Sequence, residues 1–340
     1  MIYLLVIAAA LVGAWVFENS RRKTHPVPEG YQPDIDLPYT EEFELYHNAL
    51  SLCSMKSRVC MSELAIPYKS HHIDLIETGA YENIRDKLLS VNPGGTVPVL
   101  VHNGHPIYES HMQIRYAAEH APPGSPALTP DDPSLRAEME EWIDRSSLTG
   151  DPLAETDQSA GNCIPGLTLP LFASMIVEIP FWNILEGLLF HFDRRRPILF
   201  VVLKLAGMGR LGKLKPAMGV IAKSRRQMGI HLDALEEKLL KSGGPWILGE
   251  FFSLADVSWL VIFERLEQAD FDGIFYGNTG GPDDSALRPA VAAYWQSLQG
   301  RPSYADAMAG HSHPAIVNGT ALLKAAKAAD ATLRLALEGL

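Results

Sequence analysis

The spacing of apolar residues divides the chain into a part with strand-like patterns and a longer helical part. Between residues 43 and 108, short apolar segments bounded by turn residues predict four strands, over residues 43–47, 68–74, 97–102 and 105–108. Asn103-Gly104, between the last two segments, is a strong signal for a hairpin turn. A βαβ unit followed by a ββα unit predicts a mixed four-stranded sheet with helices packed on it.

Helical spacing begins after a Pro-rich segment and continues to the end of the chain, so the predicted fold class is α+β. The predicted units are a first domain over residues 41–121, a linker over 122–133, an all-helical domain over 134–312 and a helical tail over 313–340. Within the helical domain, residues 163–212 carry long apolar runs broken by prolines and charges. Core packing is the expected role of these runs, and a membrane-facing surface is the alternative.

The chain begins with an uncharged apolar run over residues 1–17, which is at the short end of the length that spans a bilayer. Trp15 lies where an interfacial aromatic residue belongs, and Arg21, Arg22 and Lys23 follow. This order predicts a single-pass anchor over residues 1–20, with the body in the cytoplasm. An export signal, the alternative, would carry its positive charge before the apolar run. The proline-rich residues 21–40 predict a stiff tether.

Composition narrows the functions that this chain can have. Its 340 residues are 47% hydrophobic and 20% charged, enough for a large core or two domains. The 29 Lys and Arg against 40 Asp and Glu give a net charge of −11, which argues against a nucleic-acid partner. Three cysteines are too few for a disulfide framework or a zinc site. His71 and His72 alternate faces of a strand, so no metal site is predicted.

Two groups of residues resemble a known family. Tyr46, Ser51, Cys53, Arg58, the Asn92-Pro93 to Val97-Pro98 run and Glu109-Ser110 resemble the thioredoxin-like half of the glutathione transferases. About 150 residues later, Ser253-x-x-Asp256 forms a variant capping box, with Phe252 and Val257 as its hydrophobic staple. This box resembles a signature of the family's helical domain. The resemblance covers roughly residues 43–310.

The resemblance implies that glutathione is the cofactor or cosubstrate and gives each matched position a role. The backbone of Val97 would pair with the cysteinyl part of glutathione, before a cis-proline at Pro98, although sequence statistics alone favour a trans bond. Glu109 and Ser110 would hold the γ-glutamyl end, where the N-terminus of a helix favours a carboxylate. Ser51 would face the glutathione sulfur.

The chain resembles one branch of this family in particular, that of the ganglioside-induced differentiation-associated protein 1. The resemblance lies in the Leu45-Tyr46-His47 opening, the segments at 97–102 and 245–258, and the long insertion in the helical domain. Ser51-Leu52-Cys53-Ser54 also resembles the Ser-Ser-Cys loop of the zeta class, from which Leu52 departs. The N-terminal anchor departs as well, because that membrane-bound branch has a C-terminal hydrophobic tail.

Two candidate catalytic residues and two classes of function follow. The Ser51 hydroxyl and the free N–H groups of the helix that follows it could stabilise a glutathione thiolate. Cys53 is the rival, because a cysteine that faced the site could form a mixed disulfide with glutathione, although free cysteines are usually buried.

The first class of function is a membrane-anchored, glutathione-dependent transferase or isomerase that acts on a small hydrophobic electrophile, in a chain that could form a homodimer. Its chemistry would be conjugation, cis–trans isomerisation, dehalogenation or ether cleavage. The alternative class is a glutathione-fold sensor or adaptor with little turnover. In this family the pocket for the second substrate lies in the variable helical half.

Overall fold

A computed structural model describes residues 1–152, 156–277 and 286–339. Residues 153–155 and 278–285 of the predicted helical domain, and Leu340 of the predicted tail, lie outside these ranges. The described residues form a mixed sheet with its helices, followed by a helical part, as the apolar pattern predicts.

The sheet has five strands in the described chain, one more than predicted, in the order β1-β5-β4-β2-β3. Strand β2 runs parallel to β3 and antiparallel to β4, which forms a hairpin with β5. The strands are β1 (Gly30–Tyr31), β2 (Phe43–His47), β3 (Lys69–His72), β4 (Val99–His102) and β5 (His105–Tyr108). Successive side chains of the hairpin point to opposite faces of the sheet, and both faces are buried. Leu100 and Ile107 belong to the main core, whereas Val99 and Tyr108 belong to a smaller cluster.

The fifth strand corrects the prediction of a tether over residues 21–40. Gly30 and Tyr31 pair with the outer edge of β5, and the Leu37 N–H donates to the Gly104 carbonyl at 2.8 Å. Val27 packs against the smaller cluster. These residues are therefore part of the folded domain, and the N-terminal helix is joined directly to the body rather than through a free spacer.

The helices follow the apolar spacing of the sequence. The first of them precedes the sheet, three lie within the sheet domain, and the others follow it. They are α1 (Ile2–Arg21), α2 (Leu52–Glu63), α3 (Asp86–Leu89), α4 (Ser110–Glu119), α5 (Pro133–Ser146), α6 (Ala160–Ile176), α7 (Phe181–Phe190), α8 (Arg195–Ala206), α9 (Met208–Leu211), α10 (Lys215–Ser242), α11 (Leu254–Gln268), α12 (Asp272–Phe275), α13 (Pro289–Gln299), α14 (Pro302–Met308), α15 (Pro314–Ala329) and α16 (Ala331–Glu338).

Helix α11 is the centre of the helical part, and its first turn contains the predicted capping box. Ser253 accepts a hydrogen bond from the Ala255 N–H, and the Asp256 carboxylate accepts one from the Ser253 N–H at 2.8 Å. Trp259 in the same helix is fully buried, and its indole N–H donates to the Trp142 carbonyl of α5. The box is thus confirmed, and it starts a helix that is buried along most of its length.

The insertion over residues 163–212 is only partly core. Helix α6 is almost entirely buried, with Leu167 and Leu171 fully enclosed, so its apolar run is core. Helices α7 and α8 bury one face each, through residues such as Ile184 and Phe200, but leave large apolar side chains exposed on the other. Core packing therefore explains only part of the insertion.

Helix α1 agrees in position with the predicted anchor and is 20 residues long. Within the described part of the chain, it is the one helix whose length and apolar composition would allow it to cross a membrane. None of its residues is buried against the rest of the protein.

Candidate active site

Ser51 lies in the loop between β2 and α2 and is the N-cap of α2. Its hydroxyl oxygen accepts a hydrogen bond from the Ser54 N–H at 3.2 Å. A hydroxyl that accepts in this way still has its own proton to donate. The loop is held by the buried Asn48, whose Oδ1 accepts from the N–H groups of Leu50 and Ser51 at 2.8 and 3.2 Å. An anion placed before α2 would therefore meet both the Ser51 O–H and a helix N-terminus.

The peptide bond between Val97 and Pro98 is cis, as the family resemblance implied and as sequence statistics alone did not. The β2–β4 ladder ends with the pairing of Tyr46 and Val99, so the Val97 backbone lies beyond it and takes no part in it. The buried Gln113 of α4 supports this turn by donating to the carbonyls of Pro98 and Ile107 at 3.0 and 2.9 Å.

Glu109 and Ser110 stand at the start of α4. Glu109 is the N-cap residue, with φ at 66°, and its exposed side chain makes no capping hydrogen bond. Positive φ is uncommon for residues other than glycine and often marks a functional site. Ser110 is buried in the first turn. The Glu109 carboxylate is thus presented outward instead of being bound to its own helix.

Cys53 is half-buried, and the Ser110 side chain and the Glu109 carboxylate at the start of α4 both influence the pKa of its thiol. Burial raises the pKa of the Cys53 thiol, and the nearby Lys56 ammonium only partly opposes this effect. The thiol form is therefore favoured. The side chain belongs with the Glu109-Ser110 end of the site, whereas Ser51 caps α2.

Lys56 is a site residue that sequence reasoning missed. It lies one turn after Cys53, its side chain is buried, and its ammonium group donates to the Ser147 hydroxyl, just past α5, at 3.5 Å. Burial lowers the pKa of Lys56 to about 8, with a further contribution from the charge of Arg115. A buried positive charge thus lies between the thioredoxin-like domain and the helical domain, close to Cys53.

A second polar group lies at the β3 edge, where His72, Asp74 and His313 bring potential metal-ligating atoms within 4.8 Å of one another. Each already has a partner within the protein. His72 Nε2 lies 2.9 Å from Asp74 Oδ1, and His313 Nδ1 accepts a hydrogen bond from the Ala315 N–H as the N-cap of α15.

The fold resembles that of one family. A mixed sheet with a cis-proline before β4, followed by a helical part with a capping box on α11, is similar to the architecture of the glutathione transferases. Residues 50–120 match the family of the glutathione S-transferase N-terminal domain.

Comparison with known proteins extends this match over most of the chain. The chain is 23% identical over 260 residues to glutathione S-transferase F9 of Arabidopsis thaliana, covering 76% of this chain and 94% of the relative. It is 23% identical over 268 residues to a tetrachloro-p-hydroquinone reductive dehalogenase of Sphingobium chlorophenolicum, covering 78% and 95%. The crystal structure of a beta-etherase from Sphingobium sp. strain SYK-6 shares its fold, with a TM-score of 0.60 and 20% identity, covering 79% of this chain and 100% of that one.

These matches support membership of the glutathione S-transferase superfamily. Because the relatives are enzymes, they also favour a glutathione transferase-like enzyme over a protein without turnover.

Proposed function

We propose that this protein is a membrane-anchored, glutathione-dependent transferase or isomerase that acts on a small hydrophobic electrophile. The observation that carries the proposal is the Ser51 hydroxyl, which caps α2 and still has a proton to donate. In this role the Ser51 O–H donates to the glutathione sulfur and favours its thiolate form. A lower thiol pKa raises the fraction of the nucleophilic species at neutral pH.

Other residues of the site would hold the rest of glutathione. The backbone of Val97, before Pro98, would pair with the cysteinyl part, since it lies beyond the β-ladder. The Glu109 carboxylate, free of its own helix, would bind the γ-glutamyl amine, and Ser110 with the first N–H groups of α4 would bind the γ-glutamyl carboxylate. The residues that are present therefore fit glutathione.

The reaction begins when the glutathione sulfur forms a bond to an electrophilic carbon of the substrate. Expulsion of an aryl oxide or a halide would make the reaction an ether cleavage or a dehalogenation, and simple addition would make it a conjugation. Addition followed by loss of glutathione would isomerise a double bond. The similarity to a reductive dehalogenase and a beta-etherase supports including the first two chemistries.

We further propose that the chain is related to the branch of the ganglioside-induced differentiation-associated protein 1. The insertion supports this proposal, because α6 to α9 separate α5 from the long α10. The zeta-like Ser51-Leu52-Cys53-Ser54 loop supports a chemistry that uses a serine hydroxyl. As in other glutathione transferases, a homodimer would be the expected assembly.

Glutathione should stabilise the protein against thermal unfolding. At 100 times its dissociation constant, a ligand that binds only the folded state raises the free energy of unfolding by about 2.7 kcal/mol. Glu109→Ala combined with Ser110→Ala should abolish the rise in melting temperature measured by differential scanning fluorimetry. Glu119→Ala, an exposed charge removed at the far end of α4, is the matched control and should retain it. A full-length protein that shows no shift would favour the sensor or adaptor.

Helix α1 should anchor the protein, with its body on the cytoplasmic side. Full-length protein is expected in the membrane fraction after sodium carbonate extraction. Deletion of residues 1–17 should release the body as folded, soluble protein, because these residues bury nothing while Arg22 beyond them contacts the body. Full-length protein that stays soluble would contradict the anchor, and so would a carbonate-resistant deletion variant.

A further inference from the structure

We infer that the outer faces of α7 and α8 lie in the membrane interface at the foot of α1, so that the body is held against the bilayer by two attachments. This inference rests on the proposed anchor and adds a second, peripheral contact to it. The occupant of the surface is the lipid interface.

The surface formed by these two outer faces is apolar and exposed. Trp182 is 76% exposed and Leu205 is 72% exposed, which is unusual for such large side chains. The exposed apolar residues of this surface are Phe181, Trp182, Leu189, Phe192, Ile198, Val202 and Leu205. We call these residues the α7–α8 surface. Exposed apolar residues grouped in this way mark an interaction site rather than an ordinary protein surface.

The spacing along each helix shows that the exposure is organised. Ile198, Val202 and Leu205 recur at i, i+4 and i+7 on α8, so they form one stripe. The opposite face of α8 is apolar too, because Phe200 and Leu203 are buried in the core. A helix that is apolar on both sides needs an apolar partner on each, and the protein supplies only one.

Helix α7 has the same two-sided character. Its inner face approaches the thioredoxin-like domain so closely that a Cβ atom at Gly187 would lie 2.3 Å from the Tyr81 ring. Its outer face carries Trp182 and Leu189, seven residues apart. Trp is the side chain that favours the boundary between headgroups and acyl chains.

The foot of α1 is fixed beside this surface. The Arg22 guanidinium donates to the Glu186 carboxylate of α7 at 2.6 Å and lies over the Phe190 ring at 4.6 Å. Arg85 of the thioredoxin-like domain binds the same carboxylate at 2.7 Å. Burial would raise the pKa of Glu186, but the hydrogen bonds from Arg85 and Arg22 lower it, so the carboxylate stays charged. A spanning α1 therefore brings α7 to the membrane surface.

Charge at the ends of α8 favours lipid over a second copy of this acidic chain. Exposed Arg194 and Arg195 lie at its start, where Arg195 is ion-paired with Asp193 and Asp151. Exposed Arg210, Lys213 and Lys215 follow its end. An apolar stripe flanked by basic residues is typical of a helix that lies in the plane of an anionic membrane surface. The same sign of charge is found at Arg21, the last residue of α1, and at Lys23, just after it. Both attachments would therefore meet the same leaflet.

The α8 helix is also held rigidly in place. Its Lys204 ammonium donates to the carbonyls of Val177 and Ile179, just after α6, at 2.8 and 2.6 Å. The α7–α8 surface is thus a fixed feature of the body, and its contact with lipid would set the orientation of the whole protein.

The test uses the full chain in vesicles of phosphatidylcholine with 30% phosphatidylserine as the probe. Cys53 is first replaced by serine, which leaves only the buried Cys60 and Cys163. An environment-sensitive fluorophore is then attached through Leu205→Cys or, as the matched control, through Leu240→Cys on α10, which is 68% exposed. The emission of the label at position 205 should shift to the blue when the protein is in the vesicles. Lipids with a nitroxide on the acyl chain should quench it several-fold more than they quench the label at position 240.

Each outcome separates this inference from the proposed function. A chain that does not enter the vesicles overturns the anchor itself. A chain that enters them but shows equal quenching at positions 205 and 240 overturns only the α7–α8 contact. A third outcome is a blue shift of the label at position 205 without quenching by lipid nitroxides. If this shift also disappears when each vesicle carries one protein, the surface is assigned to a second copy instead. The Ile198→Cys label, on the same stripe, should repeat the result obtained at position 205.

Discussion

Ser51→Ala should lower turnover with an activated electrophile by about 10²-fold or more, as is typical when one donor to a stored or developing anion is removed. The Ser51 hydroxyl is the donor at the N-terminus of α2, and alanine supplies no substitute for it. Steady-state kinetics with glutathione as the varied substrate measures the loss. The pKa of bound glutathione, followed through thiolate absorbance, should rise in the same variant.

The controls for this variant separate chemistry from helix stability. Loss of an N-cap costs about 1 kcal/mol, so Ser51→Ala also weakens α2. Ser51→Gly has no side-chain donor but costs an N-cap only a few tenths of a kcal/mol, so it should be as inactive as Ser51→Ala at nearly unchanged melting temperature. Cys53→Ala should retain most of the activity, because burial raises the pKa of the Cys53 thiol and keeps it in the poorly nucleophilic protonated form. If Cys53→Ala is instead the inactive variant, and a mixed disulfide with glutathione forms at Cys53, the chemistry is thiol transfer.

Asp256→Ala should destabilise the fold by about 4 kcal/mol, because it leaves several buried donors without an acceptor. The carboxylate is completely buried and accepts from the Ile247 N–H at 3.0 Å, the Ser253 N–H at 2.8 Å and the Tyr294 hydroxyl at 2.9 Å. It therefore links the capping box of α11 to α13 and to the turn before α11. Equilibrium or thermal unfolding measures the loss.

Tyr294→Phe is the matched control for Asp256. It removes one donor to the carboxylate and leaves no donor unpaired, so a cost of about 1 kcal/mol is expected. A cost for Asp256→Ala no larger than this would mean that the buried network contributes little beyond a single hydrogen bond. Glutathione transferase activity should fall only in proportion to the unfolded fraction in either variant.

The features that the sequence revealed are local ones. The Ser253 capping box and the Asn103-Gly104 hairpin each lie within four residues, so residue identity and spacing were enough to predict them. The cis bond before Pro98 needed the family resemblance, since local statistics favour the trans form.

The features that were missed depend on contacts between distant residues. Lys56 and its hydrogen-bond partner Ser147 are 91 residues apart in the sequence, and Gln113 and its partner Ser57 are 56 residues apart. Local spacing of residue types could therefore predict neither contact. The strand Gly30–Tyr31 was missed because two residues are too few to show alternation and their surroundings are rich in proline. The exposed outer face of α8 stayed one of two alternatives, because apolar composition alone does not say how many sides of a helix find a partner.

Strand β1 has a consequence for how the protein remains dispersed. It covers the outer edge of β5, which would otherwise present unpaired N–H and C=O groups along one side of the sheet. A free strand edge is a template for pairing with another chain. The segment that leads away from α1 thus also protects the sheet against aggregation. A truncated soluble body should therefore begin before residue 24, because the His25 N–H already donates to the Pro93 carbonyl.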